Sequence, residues 1–200
     1  MDMGQLEEAR PLYEEALQAR RETLGDRHPD TLTSIGNMGL LLKGMGQLEE
    51  ARPLLEEELQ ARRETLGDRH LITLDSINNM GELLKDMGKL EEARPLLEEA
   101  LQAKRETLGD RHPETLNSIY NLGELLEQQG LITEAIPLFT EELEACVSLH
   151  GMAHEETRDS AEHLVELLRS SGQRDEAEAL AAKHGVCNDS DDSSEDGDSE

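Results

Sequence analysis

Aromatic residues are nearly absent from this sequence. They make up 2% of its 200 residues, and tryptophan is missing altogether. Proteins that hold single-stranded nucleic acid stack the bases on aromatic rings, and binding to phosphates requires a basic surface. This chain has 46 acidic against 19 basic residues and a net charge of −27. The sequence therefore argues against nucleic acid and anionic membranes as partners.

Cysteine and long apolar segments are scarce as well. The two cysteines, Cys146 and Cys187, lie far apart in the sequence, which indicates free thiols in a reducing compartment rather than a disulfide framework. No apolar run approaches the ~20 residues that a membrane span requires, and the N-terminus lacks the apolar segment of a secretion signal. We therefore expect a cytoplasmic protein with no membrane partner.

Catalytic motifs are lacking too. The sequence contains no P-loop, no nucleophile elbow and no HExxH motif, so we expect neither enzyme activity nor a cofactor. Cys146, His150 and His154 are close enough in sequence to suggest a zinc site, but a fourth ligand is missing. We therefore expect no metal.

What the sequence has in abundance is repetition, with a period of 42 residues. The segment GQLEEARPL at residues 4–12 returns unchanged at 46–54, and 34 of the 42 positions in residues 4–45 are identical in 46–87. A fixed period of this size predicts an array of helical repeats, in which each unit buries its apolar face against its neighbours. The same step relates the glycines Gly4, Gly46, Gly88, Gly130 and Gly172.

Each period divides into two amphipathic helices. In the first helix, residues such as Ile35 and Leu42 follow the i, i+3, i+4, i+7 spacing of one helical face. In the second helix, Leu55 and Leu59 belong to a similar apolar stripe. Two helices with one buried face each form a pair that packs through those faces.

Glycine and proline punctuate these helices. Gly46 is placed to end the first helix, and Gly67 to end the second. Pro53 lies about two turns into the second helix, where its ring removes one backbone hydrogen bond. This position predicts a bend that recurs in each repeat.

Four histidines follow the same period: His28, His70, His112 and His154. Equivalent positions in stacked helices lie at least ~8–10 Å apart, whereas zinc needs ligands at about 2.0–2.1 Å. We therefore expect these histidines to be tied into the turns between helices rather than to share a metal.

The pattern resembles the tetratricopeptide repeat, in the 42-residue form found in kinesin light chains and nephrocystin-like proteins. Gly39 stands where the family has a small residue late in the first helix, Gly46 where it has the glycine of the turn, and Ala51 where it has the alanine of the second helix. The resemblance covers residues 4 to about 184. It implies an all-α fold, a right-handed superhelical solenoid of antiparallel helix pairs.

We expect this solenoid to occupy residues 1–184. The acidic segment 185–200 has no basic residue and few apolar ones, which predicts a disordered tail. Ser193 in that tail is followed by acidic residues and is a candidate for phosphorylation. The solenoid is expected to consist of an unpaired helix and four helix pairs, at 5–24 and at about 29–66, 71–108, 113–149 and 154–184.

The resemblance implies a non-catalytic scaffold or adaptor, in which the first helices line a concave groove that holds a peptide segment of a partner protein. The coiled coil by which kinesin light chains hold their motor subunit is absent from this sequence, so motor attachment is not implied. The candidate groove residues lie between the core positions of the first helices: Asn37, Lys43, Asn78, Asn79, Glu82, Lys85, Asn117, Tyr120, Asn121, Glu124, His163 and Arg169.

Three asparagines in this set recur with the period. Asn37, Asn79 and Asn121 stand where peptide-binding members of the family place an asparagine that grips the peptide. Asparagines that merely tolerate a polar face or bridge neighbouring helices would give the same pattern, and the sequence leaves both interpretations open. Counted over the whole outward face of the four first helices, beyond the twelve candidates, acids outnumber bases by eight to three, which predicts a basic or neutral peptide as partner. The acids are Asp75, Glu82, Asp86, Glu124, Glu127, Asp159, Glu162 and Glu166, and the bases are Lys43, Lys85 and Arg169.

A second hypothesis is structural self-assembly. The unpaired helix at 5–24 would leave an apolar edge uncovered, and copies of the chain could stack end to end through it into a homo-oligomer.

Overall fold

The computed structural model describes residues 3–186 and contains, within that range, nine α-helices and no β-strand. This confirms the expected all-α class. Residues 187–200, with Ser193 and most of the expected acidic tail, lie outside the described range. The helices are α1 (Met3–Leu24), α2 (Pro29–Gly44), α3 (Leu48–Leu66), α4 (Leu71–Asp86), α5 (Leu90–Leu108), α6 (Pro113–Gln128), α7 (Ile132–His150), α8 (Glu155–Ser170) and α9 (Arg174–His184).

The helices fall into two compact units. The first, Met1–Gln129, holds α1 to α6, and the second, Gly130–Glu200, holds α7 to α9. In the first unit each helix packs on the next along the chain, and α4 also contacts both α2 and α6. In the second unit α8 packs on both α7 and α9. Within the first unit, contact between successive first helices places the outward faces of α2, α4 and α6 side by side.

The core of the first unit is built mainly from small and branched aliphatic side chains of both its first and its second helices. Ile35 and Ile77 from first helices, and Leu55 and Leu97 from second helices, are at most 1% exposed. Aliphatic layers of this kind let a chain with so few aromatic residues bury apolar surface repeatedly rather than in one central core.

Glycine ends the first helices as expected. Gly46 adopts a φ of +73°, which side chains other than glycine rarely tolerate. Its N–H donates to the carbonyl of Lys43, and the N–H of Gln47 donates to the carbonyl of Leu42. These two bonds form the Schellman motif and satisfy carbonyls that the end of α2 would otherwise leave unpaired.

A second glycine position reflects close contact between the paired helices. A Cβ atom at Gly39 of α2 would lie only 2.7 Å from the Cδ2 of Leu55 in α3. In the last pair the larger side chain lies on the first helix instead. Val165 of α8 is equivalent to Gly39, Ala181 of α9 is equivalent to Leu55, and both are buried. The small residue expected in the first helix therefore serves to admit a large side chain from the second.

Histidine begins the first helices α2, α4 and α6. The Nδ1 atoms of His28, His70 and His112 accept hydrogen bonds at 3.2–3.3 Å from the backbone N–H two residues later. Each histidine thus caps its helix as Ser or Asp commonly does, which confirms the expected role in the turn at these three positions. His154 begins α8 without such a bond.

Pro53 lies inside α3, which continues on both sides of it from Leu48 to Leu66. The proline of the second helix is therefore accommodated without ending the helix, and the bend it should cause stays a prediction.

Candidate interaction surface

The candidate groove residues lie on the first helices, but they differ in accessibility. Three are exposed, six are half-buried, and three are buried. The exposed ones can contact a partner directly, whereas the buried ones can act only through their neighbours. The exposed ones are Asn37, Asn117 and Tyr120; the half-buried ones are Lys43, Asn79, Glu82, Glu124, His163 and Arg169; the buried ones are Asn78, Lys85 and Asn121.

Glu82 of α4 is the centre of a network that joins three first helices. Its Oε1 atom accepts hydrogen bonds from Asn78 Nδ2 at 2.7 Å and from Asn121 Nδ2 of α6 at 2.6 Å. Its Oε2 atom lies 2.7 Å from Lys43 Nζ of α2. Charge-assisted bonds of this length hold side chains more firmly than bonds between neutral groups. The network therefore fixes the first-helix face of α2, α4 and α6.

Lys43 shows how strongly this network favours its charged side chain. Burial alone would lower the pKa of Lys43, but the hydrogen bond from its Nζ to Glu82 and the charge of Glu82 act in the opposite direction. Asp86, 3.4 Å from the same nitrogen, adds to that effect. The net result is a pKa above the ordinary lysine value, so Lys43 stays protonated and paired.

One repeat later, the same pairing recurs between α4 and α6. Lys85 Nζ forms an ion pair with Glu124, and the lysine side chain is only 8% exposed. Lys43 and Glu82 are the equivalent residues one period earlier. The lysines of the groove are thus engaged with carboxylates of the next first helix.

The three periodic asparagines have different surroundings. Asn37 is exposed, Asn79 is half-buried, and Asn121 is buried with its amide donating to Glu82. At Asn121 the side chain bridges two helices. Contact between a peptide and the exposed Asn37 or the half-buried Asn79 stays a prediction.

Lys104, which the sequence did not assign to the groove, reaches the groove from a second helix. Lys104 of α5 is 2% exposed, and its Nζ lies 2.8 Å from Asp75 Oδ1 of α4 and 3.2 Å from Glu114 Oε2 of α6. Asp75 was one of the eight groove acids in the sequence count. The count therefore overstated the acidity of the first unit, because it ignored long basic side chains that extend from the second helices.

The second unit presents a more acidic first helix. Asp159, Glu162 and Glu166 are all exposed on α8, and their spacing of three and four residues places them on one face. His163 packs beside that face, with its ring centroid 4.5 Å from the ring of Phe139 in an edge-to-face arrangement. Three exposed carboxylates of this surface therefore lie together on α8, whereas the exposed Asp86 of α4 is paired with Lys43.

The suggested zinc ligands are only partly brought together. Cys146 is buried, and its Sγ donates a hydrogen bond to Glu142 Oε1 at 3.0 Å. Burial and the neighbouring Glu142 raise the pKa of Cys146 to about 12, so at neutral pH it is a thiol rather than the thiolate that binds metals. Among the described residues, His150 and His154 are instead grouped with Glu156.

In the part of the chain that the structure describes, no helix has the length and apolar character needed to cross a membrane.

Comparison with known proteins identifies the repeats. The sequence model of the tetratricopeptide repeat matches the chain in four overlapping segments, at residues 1–64, 36–106, 73–145 and 115–184. None of the curated proteins that were compared matches the chain.

Solved structures of similar fold also exist. One is the crystal structure of nearly identical tetratricopeptide-like repeats from a Podosopora anserina protein described as a kinesin light chain, with 27% identity and a TM-score of 0.78. It covers 91% of this chain and 86% of that one. BtubC (BKLC) from P. vanneervenii has 22% identity and a TM-score of 0.79, over 91% of this chain and 72% of that one. MamA from Desulfovibrio magneticus RS-1 has 15% identity and a TM-score of 0.59, over 88% of this chain and 93% of that one. At these identities, the likeness to BtubC and to MamA shows the fold alone.

Proposed function

Because the chain belongs to the tetratricopeptide repeat family, we propose that it is a non-catalytic scaffold that binds a peptide segment of a partner protein along its first helices. The repeats are of the kinesin light chain-like type, and proteins with such repeats generally serve protein–protein interaction. The observation that carries the proposal is the exposure of polar and aromatic side chains on α2 and α6: Asn37, Asn117 and Tyr120.

The rigidity of the surrounding face supports this proposal. Glu82, Asn78, Asn121 and Lys43 hold one another across α2, α4 and α6, so a peptide would meet side chains that are already ordered. Ordering before binding reduces the entropy that association costs. The exposed Tyr120 offers a large contact area with few rotatable bonds, as aromatic anchors of interfaces do.

Charge supports a basic or neutral peptide. In the first unit, Asp75, Glu82 and Glu124 are paired with lysines. On α8, Asp159, Glu162 and Glu166 are exposed. A peptide that carries lysine or arginine would therefore gain electrostatic attraction from α8. The same two cysteines that indicate a reducing compartment favour the cytoplasm as the place of this binding.

The charge preference can be tested with a fluorescein-labelled lysine-rich peptide and a glutamate-rich peptide of equal length. We expect the basic peptide to bind more tightly at low salt. The double variant Glu162→Gln/Glu166→Gln should weaken its binding about fivefold, because two exposed charge interactions contribute roughly 0.5 kcal/mol each. Fluorescence anisotropy at two salt concentrations measures both effects.

A matched control is available on the second helices of the same unit. Glu144 of α7 and Glu178 of α9 are also exposed, and Glu144→Gln/Glu178→Gln changes the net charge by the same amount. This control should leave binding within about twofold of the original chain, since screened charges away from the site contribute little. Equal weakening by both double variants, or tighter binding of the acidic peptide, would show that the α8 face is not the determinant.

A second candidate function, self-assembly, is favoured by the exposed side of α1. Tyr13 is 39% exposed and Leu12 66% exposed, whereas Leu55, the equivalent of Tyr13 one repeat later, is 1% exposed beneath α2. In this second candidate, these exposed side chains of α1 form the contact with a second copy of the chain.

Self-assembly predicts a molar mass that rises with protein concentration in multi-angle light scattering. Tyr13→Lys should then restore the monomer mass at all concentrations, because it places a charge in the contact. Tyr120→Lys is the control, since Tyr120 is equally exposed, at 38%, but lies on α6. A constant monomer mass of the unaltered chain up to high concentration would contradict this second function.

A further inference from the structure

The turn between α7 and α8 departs from the other copies at its first residue. His150, the last residue of α7, stands where the earlier copies have Leu24, Leu66 and Leu108. The earlier turns thus contain one histidine each, whereas this one contains two, His150 and His154. The additional imidazole is exposed.

The second departure lies at the other histidine of this turn. In the three earlier copies the histidine before the first helix uses its Nδ1 to cap that helix. His154 occupies the equivalent position without making that bond. Its Nδ1 lies 4.0 Å from Glu156 Oε2, much as His28 Nδ1 lies 3.8 Å from the equivalent Asp30 Oδ2. What differs in the fourth copy is that this nitrogen does not make the capping bond.

The two departures bring three metal-ligand atoms into one place. His150 Nε2 lies 3.5 Å from Glu156 Oε2, and the rings of His150 and His154 stack with centroids 4.8 Å apart. One ligand atom from each residue lies within 4.8 Å of the other two. Ligands of a tetrahedral zinc ion at 2.0–2.1 Å are separated from one another by about 3.3 Å. Side-chain rotations that shorten these separations by about 1.5 Å would therefore suffice, and all three side chains are exposed enough to make them.

We propose that His150, His154 and Glu156 form a binding site for a divalent transition-metal ion, specifically zinc. Two imidazoles and a carboxylate occupy three positions of a tetrahedron, and water fills the fourth. The ion connects the C-terminal end of α7 to the first turn of α8, which closes the turn between them. Cys146, one helical turn before His150, is not a ligand, since its buried thiol is bonded to Glu142.

The donor set also determines which ions should bind. Imidazole nitrogen favours zinc and copper over magnesium and calcium, which prefer all-oxygen sites. Magnesium is a hard cation that binds carboxylate oxygens, and this chain has 46 acidic residues. An excess of magnesium therefore occupies nonspecific carboxylates and leaves the histidine site to zinc.

The test is isothermal titration of the full chain with zinc chloride in excess magnesium chloride. We expect one zinc ion per chain. His150→Leu, which restores the residue of the other three copies, and Glu156→Gln should each weaken zinc binding at least tenfold, because each removes one of three ligands. Cys187→Ser is the control for the thiol outside the described residues and should leave the affinity unchanged.

A second measurement separates the proposed site from loss of fold or from binding elsewhere. Zinc that binds only the folded chain raises the melting temperature, and this rise should be present in the unaltered chain and in Cys187→Ser but absent in His150→Leu. Both site variants should retain the circular dichroism spectrum of the unaltered chain, since the replaced side chains are exposed. Zinc affinities of His150→Leu and Glu156→Gln within twofold of the unaltered chain would overturn the proposal.

Discussion

Replacing Gly39 with valine should lower the free energy of unfolding by about 1–3 kcal/mol, the usual cost of overpacking a filled core. A Cβ at this position would lie 2.7 Å from Leu55 Cδ2, and Leu55 is 1% exposed, so it has no room into which to move. Either α2 and α3 must separate or Leu55 must leave its rotamer. Urea denaturation followed by circular dichroism measures the loss.

The chain itself suggests the compensating change. In the last helix pair, Val165 and Ala181 stand at the positions of Gly39 and Leu55, and both are buried. We therefore expect the double variant Gly39→Val/Leu55→Ala to lose less unfolding free energy than the two single variants lose together. The difference should be about 1 kcal/mol or more, within the usual range for residues in contact. Gly36→Ala is the matched control in the same helix.

Gly36 differs from Gly39 in its surroundings. A Cβ there would lie 3.4 Å from Glu58 Cδ, and the equivalent positions of the next two copies carry Asn78 and Tyr120. Gly36→Ala should therefore raise stability, by up to about 1 kcal/mol, through higher helix propensity. Strict additivity of the Gly39 and Leu55 variants would mean that the two positions do not share space, and the explanation of the small residue would fail.

The helices could be predicted from the sequence because their ends depend on local chemistry. Gly46 and Gly67 both adopt positive φ at the ends of α2 and α3, and a glycine that must adopt this conformation leaves a regular mark in a repeated sequence. The sequence predicted that His112 is held within the turn, but it did not predict that the side chain caps α6. Its bond to a backbone N–H depends on one side-chain torsion, which the spacing of residues does not determine.

The surface was harder to predict because long side chains cross between elements. Lys104 belongs to a second helix by its spacing, yet it neutralises Asp75 on a first helix. Asn78 and Asn79 are neighbours in sequence, but only Asn78 is buried and bonded to Glu82. Neighbouring residues on a helix point about 100° apart, so a shift of one position separates a buried, bonded side chain from one that is partly accessible. The periodic pattern did not distinguish them.

The 42-residue period also does not predict which acidic residue accepts a hydrogen bond from a neighbouring helix. Glu82 accepts the amide of Asn121 in α6, but the residue equivalent to Glu82 one copy earlier is Leu40. Asn79 therefore has no equivalent carboxylate on α2 to which it can donate. Identical residues at periodic positions thus acquire different roles from their non-identical neighbours.

The largest single loss of stability is expected from Arg62→Met. Arg62 and Glu58 of α3 form an ion pair whose side chains are 5% and 7% exposed. Removing the guanidinium leaves a buried carboxylate whose remaining bond is the hydroxyl of Ser76, at 2.8 Å. A buried charge without its partner costs about 3–5 kcal/mol. The free energy of unfolding from urea denaturation should fall by that amount.

Arg63→Met is the matched control because it removes the same charge one residue later. Arg63 pairs with Glu99 at 2.8 Å, but those side chains are 32% and 40% exposed. Exposed ion pairs contribute about 0–1 kcal/mol. Arg63→Met should therefore destabilise the chain by no more than about 1 kcal/mol, and the difference between the two variants isolates the effect of burial.

The double variant Glu58→Ala/Arg62→Met should recover most of the stability lost in Arg62→Met. Removing both charges leaves no unpaired ion, and such replacements are often close to neutral. The two hydroxyls that contact the pair keep other partners, since Thr33 Oγ1 also donates to the carbonyl of Pro29 and Ser76 Oγ to that of Ile72. The next copy already has alanine, Ala100, at the position of Glu58. A double variant as unstable as Arg62→Met would show that the arginine acts through packing of its aliphatic stem and not through the charge of Glu58.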